Sequence, residues 1–397
     1  MKRRSFMQYF AGLAAILGVP SVGGAAQSFG GKLPTAATAA ASPGVISLES
    51  NGNIGGKHII KVVGIGSAGR RAVNAMTCEK WQGVEFVCID SDKAVLDSST
   101  ANAKLWLSPE FFDEKNIELD TMLLDCGAVS DVLRFPHMSD VLRGAHVVFI
   151  VAGIGGETGA FGSQNIAAIA RGLGILTVAL VTKPMKLEAE RVAVAEKGLN
   201  ALVDRVDSLI VVDNEDLLDE LEDWGDPVSL GDVFETSNGV LRRRLGSIVE
   251  LINGSRLCHV DFAALKAVLR ASGEAMVGSC GPLASCSEDD DAGRLRSAKT
   301  CAEYAIPWVT MRGFKPTDAL GILVSIEGDE ALSLVEVDEV MKNIRANCPQ
   351  GARIVFGVSP KYSRRDFFRV TVFATGFNNP GESIELIDQA APRELPV

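Results

Sequence analysis

Short apolar runs recur between residue 59 and residue 212. They occupy 59–63, 85–89, 147–151, 176–181 and 208–212. Runs of this length without polar alternation are typical of strands buried on both faces of a parallel sheet. Between the runs, apolar residues recur at helical spacing, as at Ile166, Ile169 and Leu173. Strands that alternate with helices predict an α/β fold with a doubly wound parallel sheet over residues 57–232.

A long helix and a second, smaller α/β unit are predicted after this sheet. The helix is placed at 233–256, because Leu241, Leu245 and Ile248 share one apolar face and Asn253-Gly254 ends the pattern. The second unit, 257–377, has predicted strands at 321–326, 353–358 and 367–375 and a predicted helix at 334–346. Within it, 279–299 is predicted to be a solvated surface turn because it carries an acidic run.

The two ends of the chain lack these patterns. Residues 1–56 combine a signal-like leader with a linker rich in Gly, Ala and Ser, which we predict to be disordered. Arg3-Arg4, a short apolar run and small residues up to Ala26 resemble a twin-arginine export signal. A membrane-surface leader and a misassigned start codon are the alternatives. Residues 378–397 are predicted to be a disordered tail.

The composition of the chain bears on whether it binds nucleic acid or metal ions. A net charge of -11 argues against a nucleic-acid partner, which would need a basic surface. The eight cysteines contain no C-x-x-C pair and the four histidines show no ligand spacing, so we predict no metal site. We expect the cysteines to be reduced and mostly buried.

Two glycine-rich turns carry the candidate chemistry. Each connects a predicted strand to a predicted helix, where backbone N–H groups can approach a phosphate closely. Their candidate ligand-binding residues are Gly64, Gly66, Ser67, Ala68, Gly69, Gly153, Gly155, Gly156, Thr158 and Gly159. One such turn could be a tight connection that binds nothing, and the G-x-G-x-x-G pattern also fits a Rossmann dinucleotide site. Asp90, which follows the strand 85–89, could meet a ribose hydroxyl or simply cap the next helix.

The order of these motifs resembles the FtsZ/tubulin superfamily, and its bacterial FtsZ branch in particular. The glycine turn at 153–162 is similar to the family's A-G-M-G-G-G-T-G-T-G loop. The other matching motifs are Val181–Pro184 with Glu188, Leu209–Asn214, Phe234 with Asn238, Val260–Ala263 and Val370–Gly376. The resemblance extends from about Lys57 to Phe377.

This resemblance implies a GTP-binding protein that assembles head-to-tail into filaments, in cell division or a related cytoskeletal role. It implies GTP as the ligand and leaves Mg²⁺ open as its companion ion. Arg71, Asp90, Glu188, Asn214, Phe234 and Asn238 join the glycine turns as implied nucleotide-binding residues. Asp261 is the implied catalytic residue, and it would enter the nucleotide pocket of the next subunit. Such a contact does not close on itself and therefore produces open filaments.

The sequence departs from the family pattern mainly at positions that would bind or hydrolyse the nucleotide. In the catalytic loop the second carboxylate is replaced by Ala264 and the Asn by His259. In the central glycine turn, Glu157 replaces a glycine, and Phe161 is expected to place a bulky ring near the phosphates. The guanine-reading Asp is Gly239, and Val192 occupies a position that is usually basic, with Arg191 beside it. The family's phosphate-sensing loop and its C-terminal partner-docking peptide are both absent.

Three hypotheses follow. The first is a divergent FtsZ-like GTPase with slow, assembly-dependent hydrolysis. The second is a structural paralogue that has lost GTP turnover and acts through filament contacts, including contacts with an orthodox FtsZ. In one version of this hypothesis it has also lost nucleotide binding. The third, an NAD-type Rossmann protein, leaves the long helix and the Asp261 loop without a role. Because GTP is a cytoplasmic solute, the first hypothesis favours the cytoplasm, with the leader as a membrane tether, and export remains the alternative.

Overall fold

A computed structural model describes ten segments of the chain. They are 45–48, 58–107, 136–222, 228–254, 260–270, 272–281, 291–306, 318–329, 332–360 and 368–377. The predictions for the leader at 1–26, for the tail at 378–397 and for His259 lie outside the described residues.

The first half of the chain alternates strands and helices, as the apolar pattern predicts. Its elements are β1 (Val45–Leu48), β2 (Ile60–Ile65), α1 (Gly66–Met76), β3 (Val84–Asp90), α2 (Lys93–Asp97), β4 (Ala103–Trp106), α3 (Pro136–Leu142), β5 (Val147–Gly153), α4 (Glu157–Gly172), β6 (Leu176–Lys183), α5 (Ala189–Val203), β7 (Ser208–Asp213) and α6 (Asn214–Glu222). A short 3-10 turn, Thr77–Glu79, follows α1.

The second half begins with the long helix. Its elements are α7 (Leu230–Asn253), α8 (Phe262–Leu269), β8 (Gly273–Cys280), α9 (Asp291–Ala305), β9 (Ala319–Gly328), α10 (Leu334–Asn347), β10 (Arg353–Pro360) and β11 (Phe368–Phe377). The predicted strands near 321–326, 353–358 and 367–375 and the predicted helix near 334–346 are all present. None of the described helices is long and apolar enough to cross a membrane.

All eleven described strands belong to one sheet, in the order β1-β4-β3-β2-β5-β6-β7-β8-β11-β9-β10. From β4 to β8 every neighbouring pair is parallel. The strand order reverses between β2 and β5, which makes this the topological switch point of a doubly wound sheet. The predicted fold class, with its parallel nucleotide-binding type of domain, long helix and smaller α/β part, is confirmed.

The central strand β5 shows why the apolar runs are continuous. Val147 to Val151 are fully buried. Val147, Phe149 and Val151 pack on the face that carries α1, α7 and α8. Val148 and Ile150 pack on the opposite face with α3, α4 and α5. Because both faces are covered by helices, no position along the strand can be polar.

The long helix α7 runs from the carboxyl ends of the parallel strands to their amino ends. It begins with a capping box, in which Ser229 and Asp232 bond reciprocally, and its 24 residues extend about 36 Å. At its end the Asn253 side chain accepts the His58 N–H (3.0 Å) and donates to the carbonyls of His58 (2.7 Å) and Gln82 (3.0 Å). These bonds fix the end of α7 beside the start of β2.

The second, smaller part of the sheet is attached through β8. This strand pairs in parallel with β7 and antiparallel with β11, and β11 pairs antiparallel with β9. The core of this smaller part is formed by β8, β9, β11, α9 and α10. Since the sheet is continuous, the domain boundaries proposed at 232 and 256 stay predictions.

Several sequence predictions are wrong in detail. β1 lies inside residues 1–56, which were predicted to be a leader and linker, and its V-I-S-L segment pairs antiparallel with β4 as the edge strand of the sheet. The predicted surface turn 279–299 contains the start of α9. The apolar pattern did not predict this helix because its buried residues, such as Ala298 and Ala302, are small. Pro136 occupies the first position of α3, where its missing N–H costs nothing.

Candidate functional site

The two glycine turns meet at the switch point of the sheet. The turn after β2 and the turn after β5 together line a cavity of about 280 Å³ at the carboxyl edge. Gly153 is so close to Ala68 that a Cβ on the glycine would lie 2.8 Å from that of the alanine. The structure thus brings the two turns together at one cavity.

Glycine is required here because backbone packs on backbone. A Cβ at Gly64 would lie 2.7 Å from the carbonyl oxygen of Gly69. A Cβ at Gly69 or Gly159 would collide with the carbonyl oxygen of Val151 or Gly153, respectively. Gly64 and Gly69 therefore hold the first turn against β5 and do not line the cavity themselves.

Most of the predicted ligand-binding residues line this cavity. They are Gly66, Ser67, Ala68, Arg71, Gly153, Gly155, Gly156, Thr158, Gly159, Glu188, Asn214, Phe234 and Asn238. Gly156 contributes an open position, since a Cβ there would meet nothing within 4 Å. These predicted residues thus lie on one continuous surface, which is formed by the ends of three strands and one face of α7.

Buried polar atoms at one side of the cavity have no protein partner. Asn214 Oδ1 and Ser237 Oγ are buried, and neither makes a hydrogen bond within the described part of the chain. Such atoms are costly unless a ligand or water satisfies them. Ser237 was missed by the sequence predictions. Phe234, Ser237, Asn238 and Leu241 follow the i, i+3, i+4, i+7 spacing, so extending the helical stripe across polar residues would have found it.

The charged side chains that line the cavity balance each other. Arg71 and Arg191 are cationic, and Glu157 and Glu188 are anionic. Arg191 Nη1 lies 2.5 Å from Glu188 Oε2, so this pair is largely self-neutralised. An anionic ligand would therefore depend on the backbone N–H groups of the glycine turns and on the N-terminus of α4, which begins at Glu157.

Arg71 also changes the role of the aromatic ring in the cavity. Its guanidinium carbon lies 5.6 Å from the centroid of the Phe234 ring, a cation–π arrangement. One face of the ring is thus occupied by a cation and not free to stack on a base. Of the two arginines in the first turn, Arg71 is the one at the cavity, whereas Arg70 acts electrostatically on Asp90.

Two expectations about the site need correction. Asp90 does not line the cavity: it is buried, and it accepts the N–H of Asp92 (3.0 Å) in the turn before α2. Burial raises the pKa of its carboxyl group. Phe161 does not line the cavity either, and its side chain is buried. Glu157 is exposed and does line it.

The predicted catalytic residue lies at the opposite edge of the sheet. Asp261 caps α8 by accepting the N–H of Ala263 (3.2 Å), and its side chain is exposed. The next residue, Phe262, stacks on His58 with 4.0 Å between ring centroids. His58 precedes β2, so Asp261 is at the amino edge, while the cavity is at the carboxyl edge. Within one chain the two cannot meet.

The described residues contain no group of three or more His, Cys, Asp or Glu side chains that could hold a metal ion. The donor set at the cavity instead suits a phosphorylated nucleoside. The lining combines the glycine turns and Arg71 with Asn214 and Ser237, whose buried polar atoms lack a hydrogen-bond partner among the described residues.

Comparison with known proteins agrees with this geometry. The model of the Tubulin/FtsZ family GTPase domain matches residues 59–222, and that of the FtsZ family C-terminal domain matches residues 286–378. The cell division protein FtsZ of Coxiella burnetii (strain RSA 493 / Nine Mile phase I) is 36% identical over 327 residues, which cover 81% of this chain and 79% of that protein.

Solved structures show the same relationship. An empty FtsZ dimer from M. jannaschii has a TM-score of 0.67 and 28% identity, over 81% of this chain and 88% of that chain. The GTPγS-bound protofilament of CetZ2 from Haloferax volcanii has a TM-score of 0.62 over 84% and 97% of the two chains, and at 19% identity it shows a shared fold. Given the sequence identity and coverage of its relatives, the chain belongs to the FtsZ/tubulin family.

Proposed function

We propose that this protein binds GTP in the cavity at the switch point. The convergence of two glycine turns on one cavity is the observation that carries the proposal. The turns around Gly66 and Gly156 would hold the phosphates through backbone N–H groups, with Arg71 supplying positive charge. Asn214, Ser237 and Asn238 would form hydrogen bonds with the base or ribose. For Asn214 and Ser237, these bonds would satisfy the buried polar atoms described above. Mg²⁺ would offset the negative charge of Glu157 beside the phosphates.

We further propose that the chain assembles head-to-tail. Asp261 and the cavity lie at opposite edges of the same parallel sheet, so a second copy stacked along the strand direction would bring its Asp261 towards the first copy's cavity. Because each copy retains one free edge of each kind, the contact repeats and gives an open filament. The exposure of Asp261 supports this arrangement.

Hydrolysis in such a filament would be slow. Asp261 can orient a water molecule for attack on the terminal phosphate, which makes turnover dependent on assembly. The position of the second loop carboxylate is Ala264, which offers no second proton acceptor. A missing general base typically costs a factor of about 10²–10⁴ in rate.

The same observation favours a second candidate function. If Ala264 has removed turnover completely, the protein acts as a structural paralogue that joins filaments, including those of an orthodox FtsZ. In either case we propose a cell-division or related cytoskeletal role. We propose the cytoplasm as its location, with the leader as a membrane tether and twin-arginine export as the alternative.

Equilibrium binding of labelled GTP and ATP is the decisive experiment. It should use a chain that begins at Pro43, so that β1 is retained. We expect micromolar GTP binding and turnover per molecule that rises with protein concentration. Binding with no turnover at any concentration would select the structural paralogue, and no binding at millimolar nucleotide would refute the GTP proposal.

The variant Asp261→Ala tests the assembly-dependent step. We expect it to abolish turnover and to leave GTP affinity unchanged, because Asp261 is remote from its own chain's cavity. Asp140→Ala is a matched control, since Asp140 is also an exposed carboxylate on a helix, and it pairs with Arg143 at 3.5 Å. Unchanged turnover in Asp261→Ala would show that the catalytic loop has been misassigned.

A further inference from the structure

Two cysteines lie in contact in the smaller half of the protein. Cys280 is the last residue of β8 and Cys301 lies in α9, and their sulfur atoms are 3.4 Å apart. Both side chains are buried. The contact joins residues that are 21 positions apart in the sequence. Neither cysteine takes part in the proposed nucleotide site.

The surroundings of the pair leave the two thiols facing each other. Both sulfurs lie near the carbonyl oxygen of Gly281, at 3.5 Å from Cys280 and 3.8 Å from Cys301. Both cysteines belong to the apolar cluster of the smaller part, which includes Met276 and Ala298. Hydrogen bonding with Cys301 lowers the pKa of Cys280, although burial acts in the opposite direction. A lower thiol pKa increases the thiolate fraction, and thiolate is the nucleophile in disulfide exchange.

Other described cysteines have a different environment. Burial raises the pKa of both Cys88 and Cys348 to about 11, so neither is prone to form a thiolate. Cys78 is exposed and donates its S–H to the carbonyl of Ala75 (3.1 Å). Close approach to a second thiol and a lowered pKa thus coincide at Cys280.

We propose that Cys280 and Cys301 form a reversible intramolecular disulfide. The oxidant is a low-molecular-weight disulfide. The Cys280 thiolate attacks one of its sulfurs, which forms a mixed disulfide and releases one thiol. The Cys301 thiolate then attacks the Cys280 sulfur and releases the second thiol. The protein loses two electrons and two protons, and the oxidant is reduced to two thiols.

This bond would add a covalent link between β8 and α9, which pack together in the core of the smaller part. β8 is the strand that connects the parallel sheet to the smaller part. The bond closes a loop that includes residues 282–290 and reduces the conformational freedom of the unfolded chain. The oxidised protein is therefore more stable than the reduced one. An exported chain would carry the bond permanently, whereas a reducing cytoplasm would keep it open.

The test uses the full chain, treated with oxidised or reduced glutathione, blocked with iodoacetamide and mapped by mass spectrometry after proteolysis. We expect a Cys280–Cys301 cross-linked peptide, two hydrogens lighter than the sum of its parts, and a rise in thermal midpoint of about 5 °C after oxidation. Reduction with dithiothreitol should reverse both changes. Full alkylation of both cysteines after oxidation would refute the proposal, as would a cross-link from either one to Cys258 or Cys286.

Two variants separate the bond from general oxidation. Cys301→Ser should lose the rise in midpoint and leave Cys280 as a mixed disulfide with glutathione. Cys348→Ser is the control, and it should keep both the cross-link and the rise. An undiminished rise in Cys301→Ser would show that oxidation stabilises the protein by another route.

Discussion

Gly159→Ala is a direct test of how the two halves of the cavity wall are joined. An ideal Cβ on Gly159 would lie 2.0 Å from the carbonyl oxygen of Gly153, whereas real Cβ atoms keep at least 3.0 Å. The end of β5 and the start of α4 must therefore separate by about 1 Å, and both are fixed by backbone hydrogen bonds. Overpacking costs about 1–3 kcal/mol, and the backbone contact places this substitution at the upper end.

A partial compensation comes from the helix itself. Alanine is favoured over glycine inside a helix by about 1 kcal/mol, so we expect a net destabilisation of about 2 kcal/mol. Gly156→Ala is the matched control, because it adds the same methyl group three residues earlier, where no atom lies within 4 Å. Its backbone has φ -123 and ψ 152, which any residue adopts. Its stability should change by less than about 0.5 kcal/mol.

Chemical unfolding of the two variants beside the unsubstituted chain gives the comparison. Gly159→Ala should unfold at a lower denaturant concentration with an unchanged slope, and Gly156→Ala should overlay the unsubstituted chain. In a labelled-GTP titration, Gly156→Ala should bind more weakly while remaining equally stable, because its methyl group projects into the cavity. Equal stability of the two variants would refute the proposed backbone contact at Gly159.

Three further predictions concern charge, capping and pH. Glu157→Gln should raise GTP affinity about 3- to 10-fold in a binding titration without divalent cations, because it removes a carboxylate beside the phosphates. Asn253→Ala should lower the free energy of unfolding by about 2–4 kcal/mol, because it leaves the His58 and Gln82 groups without their partner. Burial, followed by the nearby His146, lowers the pKa of His58, so the native state disfavours its charged form. The neutral form of His58 therefore supports the native state above about pH 6.5, and the free energy of unfolding decreases as the pH falls below that value.

Each of these predictions has a control. Glu190→Gln, which also lies near the start of a helix but outside the cavity lining, should leave GTP affinity unchanged. Asn347→Ala removes a single exposed hydrogen bond (2.9 Å) and should have little effect on stability. For the pH effect, His58→Gln should flatten the dependence of the unfolding midpoint on acidity. An equally steep dependence in that variant would assign the effect to other groups.

The sequence predicted the parts of the fold that obey a simple period. The continuous apolar run Val147 to Val151 indicated a strand covered on both faces, and the Leu241–Leu245–Ile248 spacing indicated a long helix. The glycine turns were also predictable, because each follows such a strand directly. Within the site, Phe234 and Asn238 on α7 were named through the family resemblance, and both line the cavity.

Elements without a clear period were missed. β8 contains Gly273 and Gly278 and has little strand propensity of its own, so its structure comes from pairing with β7 and β11. Asp90 was placed at the cavity from chain position alone, because the sequence does not reveal that its carboxylate turns back to the Asp92 N–H.

The seam between β7 and β8 has a mechanical consequence. Only three residue pairs join these strands, beginning with Ser208 and Gly273, whereas five join β8 to β11. The ladder is short, but Leu323 of β9 and Phe373 of β11 belong to the same buried cluster as Leu245 and Ile248 of α7. The joint between the two parts therefore depends on side-chain packing as well as on ladder hydrogen bonds. A force on the smaller part is shared between the two.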